Sequence, residues 1–185
     1  MIRRTACICA LTLAACGSKT PPALHGMQIS PPQPAMNFTL TDQSGKPFSL
    51  SQVQGRAVAL YFGFTHCADV CPQTLALLGK ARAEAHLTPS QASIVMISVD
   101  PRRDSPAALR KFFRKVGVQA IGLTGTAAAL APVYRSYGVA IVPQKHDIAH
   151  TDAIFVIDPR GRIRETVPPE MPLKDVAADL RTVVE

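Results

Sequence analysis

The sequence predicts an α/β sandwich, in which a central mixed sheet is flanked by helices and an N-terminal β-hairpin. Three observations carry this. Ala57–Phe64 and Ile94–Val99 are continuous apolar runs rich in strand formers, as expected of strands buried on both faces. Stretches with helical spacing alternate with these runs, the order that builds parallel pairs with crossover helices. The chain then ends in two strand-like segments about a tight turn, followed by one more helix, so the sheet must be mixed. A length of 185 residues suits one domain with a proper core and is too short for two.

Element by element, the folded domain is expected over residues 37–185. Phe38–Thr41 and Pro47–Leu50 flank a Ser44-Gly45 turn and read as the hairpin. After Ala57–Phe64, the stretch Pro72–His86 places Leu75, Leu78 and Ala81 on one side and Lys80, Arg82 and Glu84 elsewhere, which predicts a helix. Ile94–Val99 closes on Asp100-Pro101. Ser105-Pro106 then opens a helix in the favoured order, a cap residue followed by Pro at the first helical position, and Gly117 ends it after Val116. A short strand near Ala120–Leu123 and a helix near Thr126–Tyr137 follow. Val139–Val142 and Asp152–Asp158 are strand-like, Pro159-Arg160-Gly161 turns into Arg162–Thr166, and Leu173–Val184 is the last helix.

The N-terminus predicts export. Arg3-Arg4 precede a short apolar stretch, Thr5–Leu13, far below the ~20 residues of a membrane-spanning helix. Leu13-Ala14-Ala15-Cys16 resembles a bacterial lipobox, which makes residues 1–15 a lipoprotein signal peptide and Cys16 the lipid-modified first residue. A plain signal peptide that happens to contain a cysteine is the alternative. Residues 16–36, with Pro21, Pro22, Pro31, Pro32 and Pro34, are expected to be an extended linker in which His25, Met27 and Met36, all able to touch a soft metal, are read as incidental to metal binding. The lipobox reading places the domain on the periplasmic face of a bacterial membrane. Of five cysteines, Cys7 and Cys9 leave with the signal and Cys16 is acylated, so only Cys67 and Cys71 remain as thiols.

Composition excludes several roles. There is no Trp and aromatics are 5%, so nothing suggests a stacking platform for single-stranded nucleic acid. The net charge is +7, or +5 (18 basic against 13 acidic residues) without Arg3 and Arg4. Basic residues cluster between Arg102 and Lys115 and between Arg160 and Arg164, which fits a solvated face, an acidic partner protein or anionic lipid, without any nucleic-acid motif.

Cys67 and Cys71 sit where a buried strand delivers the chain to a helix start. Unpaired N–H groups and the helix dipole there are expected to lower thiol pKa values. Spacing of i, i+4 puts the two side chains on one helical face, ~5–6 Å apart at Cβ, from which the sulfurs can converge on one ion or join as a disulfide. Thiolates select soft ions, Cu(I) foremost, with Zn(II) possible; zinc in structural sites usually takes four protein ligands. A purely structural disulfide would close a short loop and add little stability. The third ligand is expected from a histidine. His25 lies in the linker, His86 at a helix end, and His66 would point away from Cys67 if strand geometry persists. His146 and His150 precede a strand that lies beside the active-site turn in a thioredoxin-like sheet, and His150 is the nearer to it.

Residues 61–72, Y-F-G-F-T-H-C-A-D-V-C-P, closely resemble the copper-site motif of the Sco/SenC copper chaperones. Residues 98–104, S-V-D-P-R-R-D, and 150–161, H-T-D-A-I-F-V-I-D-P-R-G, resemble that family's second and third signatures. The resemblance runs from about Asn37 to the C-terminus. It implies a thioredoxin-like fold, copper held as Cu(I) or Cu(II) by Cys67, Cys71 and His150, and Asp69 tuning the site. It further implies supporting roles for Asp100 and Asp104, and delivery to the dinuclear copper centre of cytochrome c oxidase. Ala68 stands where family members generally have Pro, and a lipid anchor replaces the transmembrane anchor many of them use. The competing expectation is an enzyme, a thiol–disulfide reductase acting on the acceptor's cysteines. Against it, the spacing is C-x-x-x-C instead of C-x-x-C, and His150-Thr151 occupies the loop position where thioredoxins place Pro.

Overall fold

The structure, a computed structural model, describes residues 23–144 and 147–185. The expected signal peptide, Cys7, Cys9, the lipidation site Cys16 and the candidate His146 lie outside the described residues. Among the described residues no helix is long and apolar enough to cross a membrane.

The two apolar runs become β4 (Ala57–Gly63) and β5 (Ala92–Ser98), parallel, in register from Ala57 opposite Ala92 to Gly63 opposite Ser98, and buried at every position. Side chains alternate between faces along a strand, and on β4 the alternation separates two helical layers. Phe62 packs against Tyr134 of α3 (Ala127–Ser136) and Tyr137 just beyond it, at ring-centroid distances of 6.2 and 5.5 Å. Its neighbour Tyr61 meets Cys71 of α1 (Val70–Glu84) on the other face. On that second face α1 packs between α2 (Pro106–Val116) and α4 (Leu173–Val184). The α2 ends are as read: Ser105 Oγ accepts the Ala108 N–H at 3.2 Å, and Gly117 takes the left-handed conformation, φ 73°, that only glycine adopts freely.

Among the described residues the remaining strands complete an eight-stranded mixed sheet. The hairpin β2 (Thr39–Asp42) and β3 (Pro47–Ser49) forms about the Ser44-Gly45 turn. It joins the sheet through β6 (Ile121–Thr124), itself parallel to β5. On the far side β9 (Ile154–Ile157) runs antiparallel to β4 and pairs with β10 (Arg162–Val167). Two short strands stay outside this sheet. β7 (Ile141–Pro143) and β8 (Ile148–His150) form their own antiparallel ribbon, with Ile141 opposite His150.

The expected linker needs correction. Met27–Pro34 is a strand, β1, antiparallel to β10 from Met27 opposite Thr166 to Pro34 opposite Arg162. Its prolines are tolerated because β1 is an edge strand whose register shifts between Gln28 and Gln33, so a missing N–H breaks no inner ladder. The domain reaches back further still. Leu24 is buried, and the His25 N–H donates to both oxygens of Asp179 at 3.1 and 3.0 Å while His25 Nδ1 lies 2.7 Å from Asp179 Oδ1. The Gly26 N–H donates to Glu165 Oε2 at 3.0 Å, and a Cβ at residue 26 would lie 2.6 Å from that oxygen. The segment before β1 is thus held against β10 and α4 by two buried carboxylates. His25 serves this attachment.

Candidate metal centre

The centre is built where β4 ends. Gly63 is the last residue of β4, and the chain crosses Phe64–Asp69 before α1 begins at Val70, two residues earlier than the spacing suggested. Cys71 therefore lies inside the first helical turn and Cys67 in the loop before it. The Cys71 N–H, one of the four at a helix start without an intrahelical partner, donates to Cys67 Sγ at 3.3 Å. Both thiols are free; Cys67 is half-buried and Cys71 fully buried.

That burial overturns one expectation. The Cys71 thiol is not lowered by the helix start; burial pushes it up to about 12, against the pull of a hydrogen bond from Tyr61. Loss of solvation of a buried thiolate outweighs the partial charge of the helix end. Deprotonation of Cys71 has to be driven by whatever binds there.

Tyr61 is the residue that sequence reasoning passed over. Its ring is fully buried, and its hydroxyl lies 3.5 Å from Cys71 Sγ and 3.1 Å from Asp152 Oδ1. One signal was available: a lone hydroxyl in a strand buried on both faces must find a partner. Gly63 is the second such residue. A Cβ there would lie 2.6 Å from the Tyr61 ring and 3.2 Å from Cys71 Sγ, so only glycine lets strand, ring and thiol approach this closely.

His150 arrives on the β7–β8 ribbon and packs edge-on against Tyr61 and Phe64, with ring centroids 6.5 and 6.0 Å apart. Its Nδ1 lies 2.9 Å from the Thr151 carbonyl oxygen. That bond makes Nδ1 the N–H donor and leaves Nε2 as the nitrogen able to bind a metal. The structure therefore brings His150 onto the ring of Tyr61, whose hydroxyl meets Cys71. The three donor atoms are not all within 4.8 Å of one another, however. Bonds of ~2.0–2.3 Å hold the ligand atoms of one ion no more than ~4.6 Å apart, so the three donors have to draw together to share an ion.

The aspartates divide. Asp69 is the N-cap residue of α1 and exposed, with no side-chain bond to the helix start. Asp104 is completely buried. Its carboxylate accepts the Thr65 N–H at 3.2 Å, the Thr65 hydroxyl at 2.6 Å and the Ser98 hydroxyl at 2.6 Å. Burial raises its pKa against those bonds. Asp100 is buried and ion-paired with Arg103. With His66 these two acids form the one group among the described residues whose donor atoms fall within 4.8 Å of one another. Asp104 is taken up by Thr65 and Ser98 and Asp100 by Arg103, so Asp104 fastens the thiol loop to the end of β5. His66 turns to this acidic pair, and His86 lies exposed at the end of α1, as expected of both.

The SCO1/SenC family model matches residues 27–185. The mitochondrial SCO2 homolog of Bos taurus is 37% identical over 135 residues, covering 68% of this chain and 50% of that protein. The chain thus spans about half the length of that relative. Bradyrhizobium japonicum ScoI, solved with copper bound, is 32% identical with a TM-score of 0.72, covering 80% of this chain and 98% of that one. Arabidopsis thaliana ScoI, also solved with copper bound, is 26% identical with a TM-score of 0.75, covering 80% and 97%. These neighbours carry the expected thioredoxin-like fold, and a family match that begins at Met27 agrees with β1 as part of the domain. Matched over its whole described sheet, the chain belongs to the SCO1/SenC family.

Proposed function

We propose that this chain is an extracytoplasmic copper metallochaperone, tethered through lipidated Cys16 to the periplasmic face of a bacterial membrane. It takes up copper on Cys67, Cys71 and His150 and delivers it to the dinuclear copper centre of cytochrome c oxidase. The observation that carries this reading is two free thiols at the start of α1 with a third donor, His150, held on the rings of Tyr61 and Phe64 beside them. Relatives solved with copper bound support it. Copper is the cargo. Thiolates suit Cu(I), and an imidazole also supports Cu(II). Cys71 yields its proton as the ion enters, so uptake releases protons and strengthens as pH rises.

Anaerobic copper titration of the whole chain tests the reading. One ion per chain is expected. Cys67→Ser, Cys71→Ser and His150→Ala should each weaken binding by more than the ~10–100-fold that losing an outer-shell partner costs. Wild-type stoichiometry in the His150 variant in both oxidation states would remove His150 from the site. The competing reductase reading is tested on the same samples with a disulfide substrate. Cys67 is the accessible thiol that would attack, while the buried Cys71, whose thiol is pushed up to about 12, would be slow to resolve the mixed disulfide, and negligible turnover beside tight copper binding is expected. Turnover with weak copper binding would reverse the assignment.

A further inference from the structure

Metal transfer needs an incoming ligand to reach the ion while it is still held, and the fold leaves few approaches. Cys71 is fully buried beneath the start of α1, so it cannot be reached from solvent. Cys67 is half-buried and opens onto a cleft of about 630 Å³. One wall of this cleft is the thiol loop, with Thr65, Cys67 and Pro72. The other is α2, with Ala108, Lys111 and Lys115.

The α2 wall is strongly basic. Its sequence, PAALRKFFRKV, holds Arg110, Lys111, Arg114 and Lys115 and no acid, and all four cations are exposed. Among the described residues Lys111, Arg114 and Lys115 make no salt bridge, and Arg110 donates to the Gln43 carbonyl. Asp69, the nearest acid to the thiols in sequence, does not line the cleft. This is the cluster between Arg102 and Lys115 for which copper binding itself has no use.

We propose that this cleft is the docking groove for an acidic polypeptide segment of the copper donor or acceptor. Carboxylates of that segment pair with Lys111 and Lys115 and set a metal-binding side chain of the partner against Cys67. The inference rests on the copper-handling reading and adds the partner's chemistry and its route to the metal. A concave site whose lining includes Pro72, Phe112 and Val116 suits an extended chain, and a flat lipid surface could touch the exposed cations but not enter beside Cys67. Exposed charges on the rim act on encounter rate and register more than on bulk affinity, as a transient hand-over requires.

The test uses the copper-loaded whole chain and a fluorescein-labelled peptide, an acidic run of glutamates carrying one central Met, with a glutamine analogue as control. Lys111→Glu/Lys115→Glu is compared with Lys174→Glu/Arg181→Glu, which makes the same charge change at exposed positions of α4. In low salt, reversal of the α2 pair should weaken peptide binding about tenfold or more. The α4 pair should stay within about twofold, and the glutamine peptide should bind neither. Amide shifts on peptide addition should centre on Thr65–Ala68 and α2. Equal losses in both double variants, or no loss in either, would overturn the proposal. So would unchanged peptide binding with loss of binding to phosphatidylglycerol vesicles, which would make α2 a membrane-facing helix. Copper stoichiometry of the wild type, measured in the same series, separates the two readings. If it fails, the chaperone reading fails; if it holds while the peptide ignores the cleft, only the docking proposal falls.

Discussion

Replacing Glu165 by Gln should flatten the pH dependence of stability. Glu165 is fully buried on β10; Gly26 donates to its Oε2, while among the described residues Oε1 has no donor and Asp179, itself 1% exposed, lies beside it. Burial first, then the charge of Asp179, pushes the Glu165 carboxyl from its ordinary 4.5 up to about 8, against the pull of the Gly26 N–H and His25. The group therefore folds protonated near neutral pH. Between the unfolded and folded pKa values the native state holds the extra proton, so stability is full below the lower value and is lost as pH rises through the upper one. The slope approaches ~1.4 kcal/mol per pH unit, so raising the pH from about 5.5 to about 7.5 should cost the wild type on the order of 2–3 kcal/mol. His25, whose pKa is raised chiefly by its hydrogen bond to Asp179, adds to the same trend. Gln keeps the shape, takes up no proton and can donate an N–H to Asp179. Urea unfolding across that range should show the variant flatter by about 2 kcal/mol over the two pH units. Parallel profiles for variant and wild type would refute a protonated Glu165.

Further outcomes follow from the thiol site. Iodoacetamide should alkylate Cys67 first, with Cys71 at least ~10²-fold slower in the folded chain, read by peptide mass spectrometry. Tyr61→Phe removes the hydroxyl bonded to Cys71 and Asp152 and should lower stability by about 1 kcal/mol in chemical denaturation. Gly63→Ala drives a methyl into the Tyr61 ring and toward Cys71, which should cost about 1–3 kcal/mol and show as a lowered thermal midpoint. Asp104→Ala leaves the Thr65 N–H and the Thr65 and Ser98 hydroxyls without their acceptor; a loss of about 2–4 kcal/mol and faster hydrogen exchange at Thr65 are expected.

Much of the fold was legible along the chain because its determinants are local. The doubly buried strands β4 and β5 show as unbroken apolar runs, and α2 announces both its ends through Ser105-Pro106 and Gly117. The strand-to-helix placement of Cys67 and Cys71 is likewise a matter of neighbouring residues. Other features depend on partners distant in sequence. β1 is rich in proline and lacks an alternating pattern, so nothing local marks it as a strand; its pairing with β10, far along the chain, makes it one. Glu165, Asp179 and His25 look like ordinary surface residues until the sheet and α4 bury two of them together. The height of the Cys71 thiol was misread for the same reason, since spacing reports the helix end and only packing reports the desolvation. Sequence by itself determined the sheet's core and the dithiol turn. Tertiary structure decided that His150 packs on Tyr61 and Phe64, that Tyr61 and Gly63 crowd Cys71, and that two α2 lysines share a cleft with Cys67, because each depends on contacts between segments that local pattern does not encode.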